Sequence, residues 1–317
     1  MLIWRVGAVA TGHLLLGVGW LAVLLPLPQA LVMLCETYGW WFAFSRDGCP
    51  LRYTELLRFT VAAKAIHQVT PSLSQAGELV KVHLLHRAGV LPDLATASVV
   101  TAKTTIIAAE LAFIAMGFAV PLSVMTIDPT VTTLGVAGVG ILAVALGGVL
   151  TWLRLGVFRP VVWLGRRFVV LRRFFDRHEA LFASTDAMVR EYLVRHRRRF
   201  WLSGLAFLAG WLGGALEAWV LLWILGLPAH VGAALLIQVI LAVVNRLTAF
   251  VPANLGTHEA GALMVFAVVG LPGEGALAFA LLRRARQIAW IAIGLALLPG
   301  GRRRLRMIPS IGQASRS

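Results

Sequence analysis

Two passages, TPSLSQAGELVKVHLLHRAGV (residues 70–90) and VPANLGTHEAGALMVFAVVGL (251–271), decide how this chain is to be read. Each is a hydrophobic stretch interrupted by a proline, with polar and charged side chains where its flanks are hydrocarbon-like. Laid over each other at a constant offset of 181, Pro71 falls on Pro252, Glu78 on Glu259, Gly89 on Gly270, Asp93 on Glu274 and Lys103 on Arg284. An ungapped match that keeps its charges in step marks a duplicated unit. Each copy predicts a helix, a break at the proline, a short return helix and then a full span. The breaks are expected around Pro71 and Gly77 in the first copy, and around Pro252 and Gly256 in the second. Taken singly, each passage also fits an ordinary proline-kinked span.

The surrounding sequence says what solvent these units face. Of 317 residues, 59% are hydrophobic and 14% charged, and the mean hydropathy is +0.83. Such a chain would have to bury almost all its surface to remain in water, so its solvent is lipid. Apolar runs that match the ~20 helical residues needed to cross a bilayer lie at 6–25, 94–120, 131–153, 201–225 and 231–251. Shorter or more polar candidates lie at 29–44 and 274–299. The first run is read as a retained span rather than a cleaved signal, because it is longer than a usual signal core.

The net charge of +15 is informative through its placement. Twelve arginines lie in 154–199, and Arg302, Arg303, Arg304 and Arg306 lie in the tail, whereas 121–130, 226–230 and 271–274 contain no lysine or arginine. This is the positive-inside asymmetry, and it predicts a bacterial inner-membrane protein with both termini in the cytoplasm. Nucleic acid is not needed to account for the charge. With that topology the first repeat, about 53–120, starts from the cytoplasm, and the second, about 231–299, starts from the opposite side. The fold class expected is therefore all-α: a polytopic transmembrane helical bundle with two inverted repeats, each containing a re-entrant broken helix hairpin. Residues 1–300 form one transmembrane domain and 301–317 a basic cytoplasmic tail. Inverted repeats with broken helices at matching places point to a transporter site near the midplane.

An ionisable group deep in the bilayer costs about 2.5–3.5 kcal/mol on insertion scales and needs a partner or water. The candidates for binding a substrate are Glu78, Lys81, Lys103, Asn254, Glu259, Arg283, Arg284 and Arg286. His83, Glu110, Asn245, Arg246 and His258 are further polar groups at membrane depth. Glu78 and Glu259 begin return helices, where the dipole favours a carboxylate. They read either as caps or as counter-charges for a headgroup or a gate. Arg284 lies near the midplane if the last helix starts near Glu274, and at an interface if it starts near Gln287. Arginine's planar fork suits phosphate or a carboxylate such as Glu259.

The segment 154–200 places Val161, Leu164, Phe168, Leu171 and Phe175 at helical spacing among arginines, which predicts a basic amphipathic helix for the anionic leaflet. Cys35, Cys49, His13, His67, His178, His196 and His230 lack metal-ligand spacing and read as packing or interface residues. No cofactor or metal is called for.

At these residues the chain resembles the flippase-like family built on the transmembrane domain of lysylphosphatidylglycerol synthases. One mark is a proline followed by Gly-Glu and a basic helix, here Pro71, Gly77, Glu78 and Lys81; the other is proline then Gly-x-x-Glu, here Pro252, Gly256 and Glu259. GLPGEGALAFALLRRARQ (270–287) is similar to the branch encoded with hopanoid-biosynthesis genes. Lys81 replaces an arginine of many relatives, and Asn254 with Leu255 replaces a glycine-rich pair.

The resemblance implies a translocator moving a phospholipid or hopanoid-type lipid between leaflets. Headgroups would lodge against Lys103, Arg283, Arg284 and Arg286. Larger relatives carry an aminoacyl-transfer domain, for which the short tail leaves no room, so an enzyme is not expected. The alternative is a non-transporting scaffold that gathers lipid- or hopanoid-modifying enzymes. Expected partners are anionic or hopanoid-type membrane lipids, lipid-biosynthesis enzymes, and a second copy of the chain as a homodimer.

Overall fold

Proline and glycine punctuate the chain where its helices begin and end. In the computed structural model, residues 8–44, 49–70, 76–124, 179–248 and 256–298 are described, with scattered positions between 133 and 177. Among them every regular element is helical: α1 (Ala8–Val18, continued by a 3-10 segment, Gly19–Leu24), α2 (Pro26–Phe42), α3 (Tyr53–Val69), α4 (Ala76–Arg87), α5 (Pro92–Val124), α6 (Glu179–Arg195), α7 (Arg197–Ile224), α8 (Val231–Leu247), α9 (Thr257–Val268) and α10 (Gly273–Ala296). Pro26 and Pro92 each occupy the first position of their helix, where a missing N–H costs nothing.

The duplication read from the sequence reappears in these limits. Shifted by 181, α4 coincides with α9 and the start of α5 with the start of α10. The turns between them match in hydrogen bonding as well. Val90 N–H donates to the Leu85 carbonyl at 3.1 Å and Leu271 N–H to the Phe266 carbonyl at 2.8 Å. These are the long bonds of two equivalent Schellman caps. Their glycines, Gly89 at φ +86 and Gly270 at φ +73, adopt the left-handed backbone such a cap requires.

Packing exchanges elements between the two units. α3 of the first lies along α10 of the second, and α8 of the second along α5 of the first. Glycine permits both approaches: a Cβ on Gly294 of α10 would stand 2.7 Å from the Val61 carbonyl oxygen of α3, and one on Gly117 would meet the Val239 side chain of α8. Small residues that let helix backbones approach are the usual adhesive inside a bilayer, where lipid removes the hydrophobic drive for association. α2 packs on α7 in the same way. There Gly39 faces the Phe207 ring, and Ser203 Oγ donates to the Gly39 carbonyl at 2.7 Å.

Two helices, over 92–120 and 197–224, are each long and apolar enough to cross a membrane, and the segments Thr11–Leu24 and Pro26–Phe42, meeting at 44°, pass the same test as a bent pair. The expected run 231–251 is corrected. α8 stops at Leu247 after 17 residues, which at 1.5 Å per residue is ~25 Å and short of a full crossing. The expected span 131–153 and the amphipathic stretch 161–175 fall outside the described residues apart from scattered positions, and the tail 301–317 lies wholly outside them. The later part of the basic segment forms α6, which packs on α5. Tyr192 of α6 is buried, and its hydroxyl donates to the Phe42 carbonyl at 2.8 Å.

Candidate functional site

α10 begins at Gly273, so the helix does not start at Gln287, and Arg283, Arg284 and Arg286 occupy its interior turns. Arg284 lies eleven positions along it, about 16 Å at 1.5 Å per residue. Side chains at such a depth need partners, and each of the three has one. Arg284 Nη2 lies 3.3 Å from Glu259 Oε1, the carboxylate in the first turn of α9. Arg283 Nε lies 3.2 Å and Arg286 Nε 3.0 Å from the same oxygen of Glu217, which is 4% exposed. Arg283 Nη2 also donates to Gln238 Oε1 at 2.8 Å, and Arg286 Nη1 to Gln29.

The first unit repeats part of this arrangement. Glu78, in the first turn of α4, holds Lys103 of α5 at 3.3 Å and Lys81 of its own helix at 3.1 Å. Lys81 also stands over the Trp40 ring, 5.1 Å from its centre. Thus Glu78 with Lys103 and Glu259 with Arg284 are repeat-related ion pairs of the same length. A second relation extends the duplication beyond the two passages that first showed it. Glu36 of α2 and Glu217 of α7 are separated by the same 181 residues. Glu36 pairs with Lys64 of α3 at 2.5 Å. Across the units, Arg246 of α8 binds Glu110 of α5 bidentately along one guanidinium edge, its Nε donating to Oε1 at 2.7 Å and its Nη2 to Oε2.

These charges converge on one cavity of about 450 Å³. Its wall includes Glu78, Lys81 and Lys103 from the first unit, Arg246, Arg283, Arg284 and Arg286 from the second, and Gln29, Glu36 and Lys64 from beside them. Gly77, Thr70 and His258 bring it to the flanks of both breaks. Its volume is that of ordinary small-ligand sites, but its lining is polar, which fits a wet recess inside a membrane protein rather than a lipid-facing surface. Gly256, at φ +80, precedes α9. Pro71, Pro252 and Asn254 lie outside the described residues.

The sequence reading did not single out Gln238, Gln29 or the pair of Glu36 with Lys64, which line the cavity, nor Glu217, which pairs with Arg283 and Arg286 of its wall. Glu217 carried a signal, as a lone carboxylate within the apolar run 201–225 and in register with Glu36. His67, expected to be a packing or interface residue, lines the cavity.

The model of the lysylphosphatidylglycerol synthase transmembrane region matches residues 1–295, nearly the whole chain. The chain belongs to this family. Membership and the apolar helices together make it a multi-pass membrane protein with a lipid-related function. As a member of the lysylphosphatidylglycerol synthase transmembrane-region family, it carries Gly77, Glu78 and Lys81 of the first mark on the cavity wall, while Glu259 of the second mark reaches the cavity through its pair with Arg284, which lines it. Neither a curated protein nor a solved structure matches it significantly.

Proposed function

We propose that this protein is a lipid translocator of the bacterial inner membrane, which moves a phospholipid or hopanoid-type lipid between leaflets without making or breaking a covalent bond. The observation that carries the reading is the charged cavity bounded by both repeat units and adjoining both helix breaks. A headgroup crossing hydrocarbon needs a polar path, and a cavity edged by half-membrane helices supplies one. In this reading α3–α5 and α8–α10 are inverted copies, with both chain termini in the cytoplasm, as the arginine distribution favours.

Headgroups enter beside Glu78 or Glu259, exchange a carboxylate partner for a lipid phosphate, and leave on the other side when one unit rocks against the other. Lys103 and Arg284 each pass from one anion to another, and Glu78 keeps Lys81 as its partner meanwhile. The test is lipid transfer in vesicles reconstituted with the purified chain. Labelled phospholipid is expected to equilibrate between leaflets with the wild type, and Arg284→Glu, folded and inserted to the same level, is expected to slow it by about tenfold or more, the loss of one charge-assisted contact. Transfer at the wild-type rate by that variant would remove the cavity from the path.

A further inference from the structure

Among the described residues, the ion pairs in and beside the cavity do not balance. Lys64 with Glu36, Arg246 with Glu110, and Arg284 with Glu259 are one cation to one carboxylate. Glu78, however, is shared by Lys81 and Lys103, and Glu217 by Arg283 and Arg286. Each sharing leaves one positive charge without a carboxylate of its own. The segments at the two breaks, 71–75 and 249–255, contain no charged residue and cannot supply the missing anions.

The two surpluses fall at non-equivalent places in the repeat. In the first unit the shared carboxylate is Glu78, whose counterpart Glu259 pairs with Arg284. In the second it is Glu217, whose counterpart Glu36 pairs with Lys64 alone. One surplus therefore sits on the α4–α5 wall and the other on α10, and both line the same cavity. At the second, the sharing is incomplete as hydrogen bonding. Arg283 and Arg286 both address a single oxygen of Glu217, and the buried Nε of Arg286, although 3.0 Å from that oxygen, makes no hydrogen bond because its N–H is not directed at it. A buried guanidinium with an unused donor is held ready for another acceptor.

Resting on the translocator reading, we infer that the cavity selects a lipid whose phosphate-bearing headgroup carries two net negative charges, and discriminates against zwitterionic lipids. Two surplus cations in a recess surrounded by hydrocarbon are neutralised by a dianion. A phosphate monoester has about that charge near neutral pH. Its oxygens accept from Arg283 and Arg286, whose planar donors suit phosphate geometry, while Lys81 and Lys103 act as point charges. A zwitterionic headgroup brings its own cation and leaves the surplus uncancelled.

The experiment measures equilibrium binding of dioleoyl phosphatidate, phosphatidylglycerol and phosphatidylcholine to the full-length chain in detergent, by native mass spectrometry. Phosphatidate is expected to bind at least about tenfold more tightly than phosphatidylcholine, with phosphatidylglycerol between them. Lys103→Gln with Arg286→Gln is expected to reduce that ratio to about threefold or less. The wild-type ranking needs no variant, so a misfolded double variant leaves the test intact. Equal wild-type affinities, or full selectivity in a folded double variant, would overturn the inference. The transport assay separates it from the reading beneath it. Phosphatidylcholine carried as fast as phosphatidate overturns the selectivity and keeps the translocator, whereas selective binding without any transfer keeps the selectivity and removes the translocator.

Discussion

Glu78 and Glu259, 181 residues apart, each stand in the first turn of a twelve-residue helix and each hold a cation of the following helix at 3.3 Å. Helix limits, capping turns and ion pairs coincide under one shift, so two copies of a unit have kept the same charged joint between the return helix and the long helix. A joint of that kind is costly in hydrocarbon unless both charges stay paired. In the translocator reading, this joint is where a headgroup exchanges partners.

The most buried carboxylate that pairs with the cavity's cations should also be the most consequential for stability. Glu217→Ala leaves Arg283 and Arg286 without their shared anion, and removing one partner of a buried pair costs about 3–5 kcal/mol. A thermal unfolding series in detergent should show a large fall in Tm for Glu217→Ala and a smaller one for Glu36→Ala, whose pair with Lys64 is more exposed. A Glu217→Ala Tm equal to that of the wild type would contradict the ion-pair assignment.

The approach of α3 to α10 admits no side chain at Gly294. Its Cβ would press on the Val61 carbonyl and the Ala65 side chain, and backbone cannot yield as a flexible side-chain tip does. Gly294→Val is expected to cost about 1–3 kcal/mol through overpacking. Gly138→Val, with open space around it, serves as the control in the same unfolding measurement. Equal Tm values for the two variants would mean that α3 and α10 do not pack as described.

Cys49, in the connection between α2 and α3, reports on a different region. Burial pushes its thiol up to about 11, so near pH 8 it is almost wholly protonated, and the thiolate is the reactive form. Its neutral form is favoured on folding below the unfolded value of about 9.0, and this contribution disappears as pH rises through about 11. Alkylation with a maleimide at pH 8 should therefore be at least about tenfold slower in the folded protein than in denaturant. Equal rates would show that the connection is open to water.

The membrane class, the duplication and the arginine cluster on the last helix were legible in the sequence. Hydropathy, register and charge are local properties. The match of Glu78 with Glu259 named a return helix in each unit, and α4 and α9 occupy those places. The pairing of Arg284 with Glu259 was within reach because only 25 residues separate them. Glu110 with Arg246, 136 residues apart, depends on α5 meeting α8, which no periodicity encodes. Glu217 was passed over for a different reason: a single carboxylate barely lowers the hydropathy of a 28-residue helix. Only its register with Glu36 sets it apart, and that register became meaningful once α2 and α7 were seen to pack together.

The claim on which the account turns is that the two units are inverted across the membrane, and Arg87 and Val268 test it. They are exposed, repeat-related last residues of α4 and α9. In a background of Cys35→Ser and Cys49→Ser, Arg87→Cys and Val268→Cys would be labelled with a membrane-impermeant maleimide in intact spheroplasts and in inside-out vesicles. The account predicts that Arg87→Cys is labelled only in the vesicles, from the cytoplasmic face, and Val268→Cys only in the spheroplasts, from the opposite one. Labelling of both cysteines from the same face would contradict the inversion, and with it the translocator built on two opposed units.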